Sequence, residues 1–322
     1  MFDQALKTIG LVWVLYAAYR LYDAVALWIL PSVPLTRYQK KGSYESWALV
    51  TGASAGIGLG CAQELALRGF NVVLFGHNED ELEDARALIE SECLRRHKSD
   101  IAVRLVVLDA VKSSAQQVRA AVDGLSDLDV TVLVNNVGGV PAPQPPVRGL
   151  RDLDTDEVDA TIDLNARFMA RLTRLMVPIL ARNGPSLVLN VSSTTRAGMP
   201  GVVVYSATKG FVSSFSHALA REMAAEKAPV DVLCLVAGEV KTQANTLALA
   251  SGTPDAREFA KAVMERAGRA AQRGMLEVTP WFAHVMQRAF FENIPERLRL
   301  RLVKDALEKK RVAHGDKVRK EE

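Results

Sequence analysis

The chain contains 322 residues, of which 49% are hydrophobic and 24% are charged, and its 40 basic and 37 acidic side chains leave a net charge of +3. This composition predicts a globular domain with a full hydrophobic core, and the nearly balanced charge, without a basic stripe interleaved with aromatics, excludes a typical nucleic-acid-binding surface. Three widely separated cysteines (Cys61, Cys93 and Cys234) exclude a disulfide framework and a CxxC metal site, and five histidines without HxH or HExxH spacing predict no metal centre.

A hydrophobic segment, "IGLVWVLYAAYRLYDAVALWIL" (residues 9–30), lies near the N-terminus. It has the length of the roughly 20 apolar residues that cross a bilayer, but Arg20 and Asp23 interrupt it. Charges three residues apart can pair on a spanning helix, or they can hold a monotopic helix at the membrane interface. A helix that only packs on the following domain is the remaining alternative. More basic residues follow the segment than the single Lys7 before it, which predicts that the bulk of the protein faces the cytosol.

From Ser46 onward, short β-rich runs alternate with longer helical patterns. This alternation predicts an α/β fold, a doubly wound parallel sheet of the Rossmann type with helices on both faces, preceded by the N-terminal hydrophobic helix. A ligand is then expected beyond the carboxyl ends of the strands. The segment "PAPQPP" (141–146) is predicted to be a loop. The predicted strands are residues 47–51, 71–75, 102–108, 130–135, 186–191 and 230–236.

Two or three helices are predicted after residue 254. The chain is accordingly divided into an N-terminal anchor and linker (1–45), a dinucleotide-binding catalytic domain (46–253) and C-terminal helices with a charged tail (254–322). Within "WFAHVMQRAFF" an apolar stripe recurs at helical spacing, which is typical of core or of an oligomer contact. A second membrane contact or a lid over an apolar substrate is the alternative. The stripe consists of Trp281, Phe282, Val285, Met286 and Phe290.

The first predicted strand leads directly into "TGASAGIG" (51–58) and then into a helical pattern. Glycines allow the backbone to turn and to approach a pyrophosphate closely, and the helix N-terminus supplies free N–H groups and the positive end of a dipole. A glycine-rich turn alone is weak support, but its place after a strand and before a helix predicts a dinucleotide site.

Residues at the ends of the next strands indicate which dinucleotide binds. Gly76, His77 and Asn78 stand where an enzyme specific for NAD usually places a carboxylate, so NADP(H) is predicted and NAD(H) is not excluded. Asp109, after the third strand, is predicted to meet the adenine or to cap a helix. "NNVG" (135–138) ends the fourth strand, beside the expected middle of the cofactor.

A phenol and an amine occur four residues apart in "YSATK", as Tyr205 and Lys209. At this spacing both side chains leave the same helical face, and a nearby ammonium is expected to favour the phenolate. Tyr205 is therefore a candidate general acid for a carbonyl oxygen that becomes negative, and a serine of "NVSS" (190–193) is placed to reach the same oxygen. The pattern also occurs by chance on exposed helices, but its position after the fifth strand favours catalysis.

In order and spacing, these motifs resemble those of the short-chain dehydrogenase/reductase family from about residue 46 to 245. They are "TGASAGIG", "DAV" (109–111), "NNVG", "NVSS", "YSATK" and "AGEVKT" (237–242). The hydrophobic N-terminus and the C-terminal segments are most similar to the membrane-bound branch that contains 3-ketoacyl-CoA reductases and 17β-hydroxysteroid dehydrogenases.

This resemblance implies a catalytic set, a cofactor site and an activity. The catalytic residues would be Asn165, Tyr205, Lys209 and one serine; family spacing indicates Ser192, whereas the usual second position of the pair indicates Ser193, which we prefer. The residues implied or predicted to contact the cofactor are Thr51, Gly52, Ser54, Gly56, Ile57, Gly58, His77, Asp109, Asn135, Asn136, Gly138, Tyr205, Lys209, Val240 and Thr242.

The implied activity is NADPH-dependent reduction of a lipophilic ketone, with 3-ketoacyl-CoA first and a steroid or secondary-metabolite ketone second. A membrane-tethered scaffold that retains the fold without catalysis is the alternative from another class. The expected location is the endoplasmic-reticulum membrane with the catalytic domain in the cytosol, and a homodimer is possible. The C-terminal "RKEE" only approximates a dilysine retrieval signal. His77 replaces an arginine common in the branch, and Ala237 replaces a proline, which is expected to loosen the following turn.

Overall fold

The computed structural model describes residues 2–40, 46–97, 101–140, 147–246 and 248–321. The predicted loop 141–146 and the basic residue Lys41 lie outside these ranges. The side chains of Arg20 and Asp23, and those of the C-terminal "RKEE", are also outside the described part of the chain.

A seven-stranded parallel sheet forms the centre of the molecule, with the strand order β3-β2-β1-β4-β5-β6-β7. The predicted doubly wound Rossmann-type fold is confirmed, as are the six predicted strands. The seventh was missed because a two-residue strand carries no periodic pattern. The strands are β1 (Ser46–Thr51), β2 (Asn71–Gly76), β3 (Val103–Val107), β4 (Asp129–Asn135), β5 (Ser186–Ser193), β6 (Val230–Ala237) and β7 (Glu277–Val278).

Helices cover both faces of the sheet because alternate residues of its central strands are buried on opposite sides. In β1, Ala48 and Val50 join the core beneath one helical layer, whereas Leu49 joins the core beneath the other. The helices are α1 (Phe2–Ile29), α2 (Gly56–Leu67), α3 (Glu79–Arg95), α4 (Ala115–Asp123), α5 (Thr155–Ile162), α6 (Phe168–Asn183), α7 (Val203–Ala225), α8 (Ala256–Gln272), α9 (Phe282–Asn293) and α10 (Glu296–Glu321).

The strand order reverses between β1 and β4, where the chain crosses from one half of the sheet to the other. In open parallel sheets, the crevice outside the carboxyl ends of the strands at such a point is the usual ligand site. The loops after β1, β4, β5 and β6 all open at this edge, and the predicted motifs that directly follow these strands lie there.

Helix α1 precedes the domain and exposes large apolar side chains through much of its length, including Leu11, Trp13 and Leu15. Its C-terminal end meets the domain, where the Trp28 ring packs edge-on against Phe282, with 5.3 Å between ring centroids. Across the described ranges, no helix combines the length and the apolar character needed to span a membrane.

Trp281 of the predicted apolar stripe packs against the core, but three of the stripe's side chains on α9 lie outside it. Phe282, Met286 and Phe290 are 56%, 55% and 51% exposed, so interpreting the stripe as core was wrong for these residues. The side that α9 buries carries His284 instead, which is 3% exposed. A hydrophobicity pattern places apolar residues on one helical face, but it does not show that a histidine has hydrogen-bond partners that make its burial favourable.

Candidate active site

The loop between β1 and α2 forms a glycine cradle at the carboxyl edge of the sheet. Gly52 and Gly56 have left-handed backbones, with φ of 63° and 56°, a conformation that other residues rarely adopt. Gly58 leaves no space for a side chain, because a Cβ there would lie 2.0 Å from the Gly52 carbonyl oxygen. Helix α2 follows Ala55 without a side-chain cap, so its first N–H groups are available to an anion. The loop therefore fits a dinucleotide pyrophosphate.

The side chains of Thr51 and Asn136 support this cradle through hydrogen bonds to the backbone. The Thr51 hydroxyl is fully buried, donates to the Val134 carbonyl and accepts hydrogen bonds from the backbone N–H groups of Asn136 and Val137. The Asn136 amide in turn donates to the carbonyl oxygens of Thr51 and Gly52, at 3.0 and 3.2 Å. The hydroxyl of Thr51 is thus occupied in tying β1 to β4. Ser54 and Ile57 are partly exposed in the cradle itself.

Asn135 belongs to a buried polar network between the sheet and its helices. Its amide donates to the Thr173 hydroxyl at 2.8 Å and to the Asn190 side-chain oxygen at 2.7 Å, and the Asn190 amide donates to the Ser216 hydroxyl at 2.9 Å. The Asn135 side chain therefore holds the ends of β4 and β5 to α6 and α7, a role that the sequence motif did not reveal.

His77 is exposed directly after β2, and Asn78 caps α3 by accepting a hydrogen bond from the Glu81 N–H group. The end of β2 therefore presents an imidazole and no carboxylate of its own. The first turn of α3, however, contains Glu79, Asp80 and Glu81.

Asp109 closes the turn after β3. Its carboxylate accepts hydrogen bonds from the N–H groups of Val111 and Lys112, at 2.8 and 3.1 Å. The cap of α4 is Ser114, so interpreting Asp109 as a helix cap was wrong. The Asp109 side chain remains 38% exposed.

Tyr205 lies in the first turn of α7, with its phenol beside Ser193. Burial raises the pKa of Tyr205 to about 12, and its hydrogen bond with Ser193 lowers that pKa only in part. The expectation that the Lys209 ammonium favours the phenolate was wrong for this structure. The Lys209 Nζ lies 5.5 Å from the Tyr205 ring centroid and donates instead to the Val191 carbonyl at 3.0 Å. Tyr205 is thus a neutral phenol, the form that donates a proton.

The two serines at the end of β5 have different surroundings, because neighbouring strand residues point to opposite faces. Ser192 is buried, donates to the Lys209 carbonyl at 2.8 Å and lies 2.9 Å from the Ser213 hydroxyl. Ser193 is partly exposed, and its hydroxyl is the one that lies next to the Tyr205 phenol. The structure therefore brings Ser193, rather than Ser192, to the phenol.

Lys209 is buried one turn beyond Tyr205. Burial disfavours its ammonium and lowers the pKa of Lys209 to about 8. Since the side chain can lose its proton near neutral pH, it is suited to a proton relay.

Asn165 lies in a π-turn, Asp163–Arg167, between α5 and α6. Such interruptions are frequent at functional sites, and this one turns the Asn165 amide toward the loop after β4. The amide donates to the carbonyls of Gly139 and Thr161 and accepts from the Gly139 N–H group. A Cβ on Gly138 would lie 2.7 Å from the Asn165 Oδ1 and 2.9 Å from the Lys209 Nζ. Gly138 therefore allows Asn165 and Lys209 to approach each other.

An ion-pair network that sequence reasoning missed supports the turn after Ser193. Arg196 makes a bidentate pair with Glu277 of β7, at 2.6 and 2.9 Å, and donates to the Ser213 hydroxyl. Arg288 of α9 also pairs with Glu277, at 2.7 Å. Burial raises the carboxyl pKa, but the two guanidinium groups outweigh it and hold the pKa of Glu277 at about 2. No local motif signals this network, because its members are far apart in sequence.

The segment after β6 crosses over the cradle. Val240 is buried in the core, and Thr242 approaches the glycine turn so closely that a Cβ on Gly56 would lie 3.3 Å from the Thr242 methyl carbon. The structure thus brings the predicted residues of this segment next to the predicted residues of the first loop.

A small cleft reaches Tyr205. Arg148 and Glu157 form an ion pair beside it, and the remaining lining is mostly aliphatic. The aliphatic lining residues are Val140, Leu153, Val202, Val203 and Val204.

A parallel sheet with a glycine cradle and a serine–tyrosine–lysine cluster at one edge defines a class of dinucleotide-dependent oxidoreductases. Residues 46–250 match the short chain dehydrogenase family, and the chain belongs to this family. Members of the family bind a nicotinamide cofactor, and this protein is an oxidoreductase of that kind.

Two fungal relatives extend the similarity beyond the matched domain. The very-long-chain 3-oxoacyl-CoA reductase of Kluyveromyces lactis is 31% identical over 280 residues, covering 83% of this chain and 76% of its own. The protein of the same name from Pyricularia oryzae is 28% identical over 278 residues, covering 85% and 79%. Among solved structures, the short-chain dehydrogenase from Sphingobium yanoikuyae in complex with NADPH has a similar fold, with a TM-score of 0.62 and 21% identity, covering 78% of this chain and 97% of its own.

Proposed function

We propose that this protein reduces the ketone of a lipophilic substrate with NADPH, and that the substrate is a 3-oxoacyl-CoA. The observation that carries the proposal is the neutral phenol of Tyr205 placed next to the Ser193 hydroxyl, beside a cleft lined mostly by aliphatic side chains. A group that can give up a proton lies there beside a second hydroxyl and beside an apolar surface.

The proposed residues divide the reaction between them. A bound reduced nicotinamide supplies the hydride. Tyr205 donates its proton to the carbonyl oxygen, and Ser193 hydrogen-bonds the same oxygen and disperses its developing charge. Lys209, whose lowered pKa permits proton exchange, resupplies the phenol, and Asn165 fixes the loop after β4 beside it.

The substrate class is supported by the apolar cleft and by the names of the fungal relatives. The preference for NADPH is supported by the exposed His77 and by the lack of a carboxylate at the end of β2. The first turn of α3, which follows this strand, contains three acidic residues. Because NAD-specific enzymes usually place a carboxylate near this strand end, activity with NADH must be measured beside activity with NADPH.

We also propose that α1 attaches the protein to the endoplasmic-reticulum membrane, with the catalytic domain in the cytosol. An apolar helix exposed on many sides is unfavourable in water, and lipid is the environment that relieves this exposure. The exposed side chains Phe282, Met286 and Phe290 of α9 extend the apolar surface from the Trp28–Phe282 contact, so they would form a second contact with the same membrane.

The test of function is NADPH consumption by membranes containing the full-length protein. Long-chain 3-oxoacyl-CoA, a 17-ketosteroid and an uncharged lipophilic ketone are compared, each with NADPH and with NADH. We expect NADPH-dependent turnover of the acyl-CoA. Turnover of the steroid or neutral ketone alone would contradict the acyl-CoA assignment, and nucleotide binding with no turnover of any ketone would favour a non-catalytic scaffold.

Membrane attachment is tested by flotation with phospholipid vesicles. We expect the full-length protein to float with the vesicles and a variant lacking residues 2–30 to float much less. In the full chain, replacing Phe282 and Met286 with serine is expected to weaken flotation without abolishing it. Equal flotation of the full-length and truncated proteins would contradict attachment through α1.

A further inference from the structure

The segment that crosses the cradle, residues 238–245, is held by side chains from outside residues 46–250, which match the family. We call it the post-β6 segment. It contains Val240 and Thr242, and its second half folds back on itself where the Thr242 and Asn245 backbones form a bridge. The side chains that hold it belong to α9 and α10, which lie beyond the residues that match the family.

His284 of α9 binds two consecutive backbone groups of the post-β6 segment. Its Nδ1 accepts a hydrogen bond from the Gly238 N–H group at 3.1 Å, and its Nε2 donates to the Glu239 carbonyl at 2.9 Å. An N–H group can only donate and a carbonyl can only accept, so the imidazole is the neutral Nε2–H tautomer. The ring rests directly on Gly238, where a Cβ would lie 2.5 Å from the His284 Cδ2.

Lys310 of α10 binds two side chains of the same segment. Its ammonium pairs with the Glu239 carboxylate and reaches the Asn245 side-chain oxygen at 3.4 Å. The other Glu239 oxygen accepts a hydrogen bond from the Ala250 N–H group at 3.0 Å. Glu239 is therefore fixed at its backbone by α9 and at its carboxylate by α10.

We propose that His284 and Lys310 are positioning residues that hold the post-β6 segment over the dinucleotide cradle, so that the C-terminal helices set cofactor affinity and residence time. This rests on the dinucleotide site included in the proposed function. A segment that is already ordered costs less to close over a ligand than one that must be ordered during binding. The two contacts also explain how the turn after Ala237 is held without the proline that the resemblance led us to expect.

Protonation of His284 would weaken this arrangement, because a hydrogen on Nδ1 would face the Gly238 N–H group. The charged groups around the ring are the Glu239 carboxylate and, paired with it, the Lys310 ammonium; α8 contributes the uncharged Phe259 ring. One turn further along α9, Arg288 is paired with Glu277 and Glu292. Burial lowers the pKa of His284, although Glu239 opposes this. The neutral form therefore still predominates at the ordinary imidazole pKa, about 6.5, and is lost as the pH falls through the lower pKa of the folded protein.

The experiment measures the Kd and dissociation rate of NADPH directly, without a ketone, on the full chain. His284→Leu removes both hydrogen bonds, and Lys310→Met removes the ion pair. We expect about tenfold weaker binding for His284→Leu, mostly through faster release, and a smaller effect for Lys310→Met. His97→Asn, on an exposed histidine beyond α3, and Lys309→Met, on the exposed neighbour of Lys310, are the matched controls and are expected to bind as the wild type does.

The pH dependence of the Kd for NADPH distinguishes the imidazole of His284 from a side chain that has only a structural role. His284→Asn keeps an amide oxygen that can accept from Gly238 but does not titrate. We expect the Kd of the wild type to rise more steeply than that of His284→Asn between pH 7 and 5.5. Every other group on the protein and on the cofactor is the same in both proteins, so the difference between the two curves isolates His284.

The outcomes separate this inference from the proposed function. Wild-type affinity in both His284→Leu and Lys310→Met would overturn the inference alone. If His284→Leu does not fold, the test depends on Lys310→Met and on the comparison of the pH curves. Parallel pH curves for the wild type and His284→Asn, together with unchanged affinity in Lys310→Met, would then overturn the inference. A wild-type protein that binds neither NADPH nor NADH would overturn both the inference and the proposed function.

Discussion

The Tyr205→Phe variant is expected to lose ketone reduction by a factor of about 10² to 10⁴, the usual contribution of a positioned general acid. The substitution removes the only proton that the side chain can give, while the ring and the helix around it are kept. NADPH binding is expected to stay near the wild-type value. Initial rates at saturating NADPH and a separate fluorescence titration of the cofactor measure the two quantities.

Tyr38→Phe is the control for the loss of a buried tyrosine hydroxyl. The Tyr38 hydroxyl donates to Asp231 at 2.7 Å, near the start of β6 and therefore at the opposite edge of the sheet from the site. This variant is expected to melt at a lower temperature but to keep its turnover per folded molecule. Full activity in Tyr205→Phe would contradict the proposed mechanism.

Gly58→Ala is expected to weaken NADPH binding by at least about a hundredfold. The added Cβ would lie 2.0 Å from the Gly52 carbonyl oxygen and 2.5 Å from the Asn136 amide nitrogen. A backbone carbonyl cannot rotate away as a side chain can, so the turn that forms the cradle must move. The strain is also expected to lower the free energy of unfolding by about 1–3 kcal/mol, as overpacking usually does. Calorimetric titration with NADPH and thermal melting measure the two effects.

Gly124→Ala provides the matched control for this substitution. Gly124 ends α4 with a right-handed helical backbone, φ −65°, and its Cβ would lie no closer than 3.4 Å to a neighbouring carbonyl oxygen. We expect this variant to bind NADPH as the wild type does. Near-normal cofactor binding by Gly58→Ala would show that the loop after β1 is not the pyrophosphate site.

Several features of the site could be predicted because local sequence patterns specify them. The glycines of the cradle are required by backbone geometry that few other residues tolerate, and Tyr205 and Lys209 share a helical face whatever surrounds them. The choice between Ser192 and Ser193 depended on which face of β5 each side chain occupies. The structure places Ser193 next to the phenol, whereas its catalytic role remains a prediction.

Other expectations failed because burial and long-range partners decide them. A tyrosine beside a lysine predicts a lowered phenol pKa, yet desolvation raises the pKa of Tyr205 while the Lys209 ammonium is directed to the Val191 carbonyl. The stripe of α9 predicted core or an oligomer contact, yet His284 occupies the buried side because two backbone partners, 45 and 46 residues away in sequence, satisfy its nitrogens.

By itself, the sequence determined the order of strands and helices, the parallel sheet and the glycine loop, because periodicity, turn residues and crossover connections act over short stretches of chain. Only the tertiary structure decided which serine meets Tyr205, which charge states burial favours and how α9 and α10 hold residues 238–245. Those features depend on distances between groups that are remote in sequence, and on the removal of those groups from water.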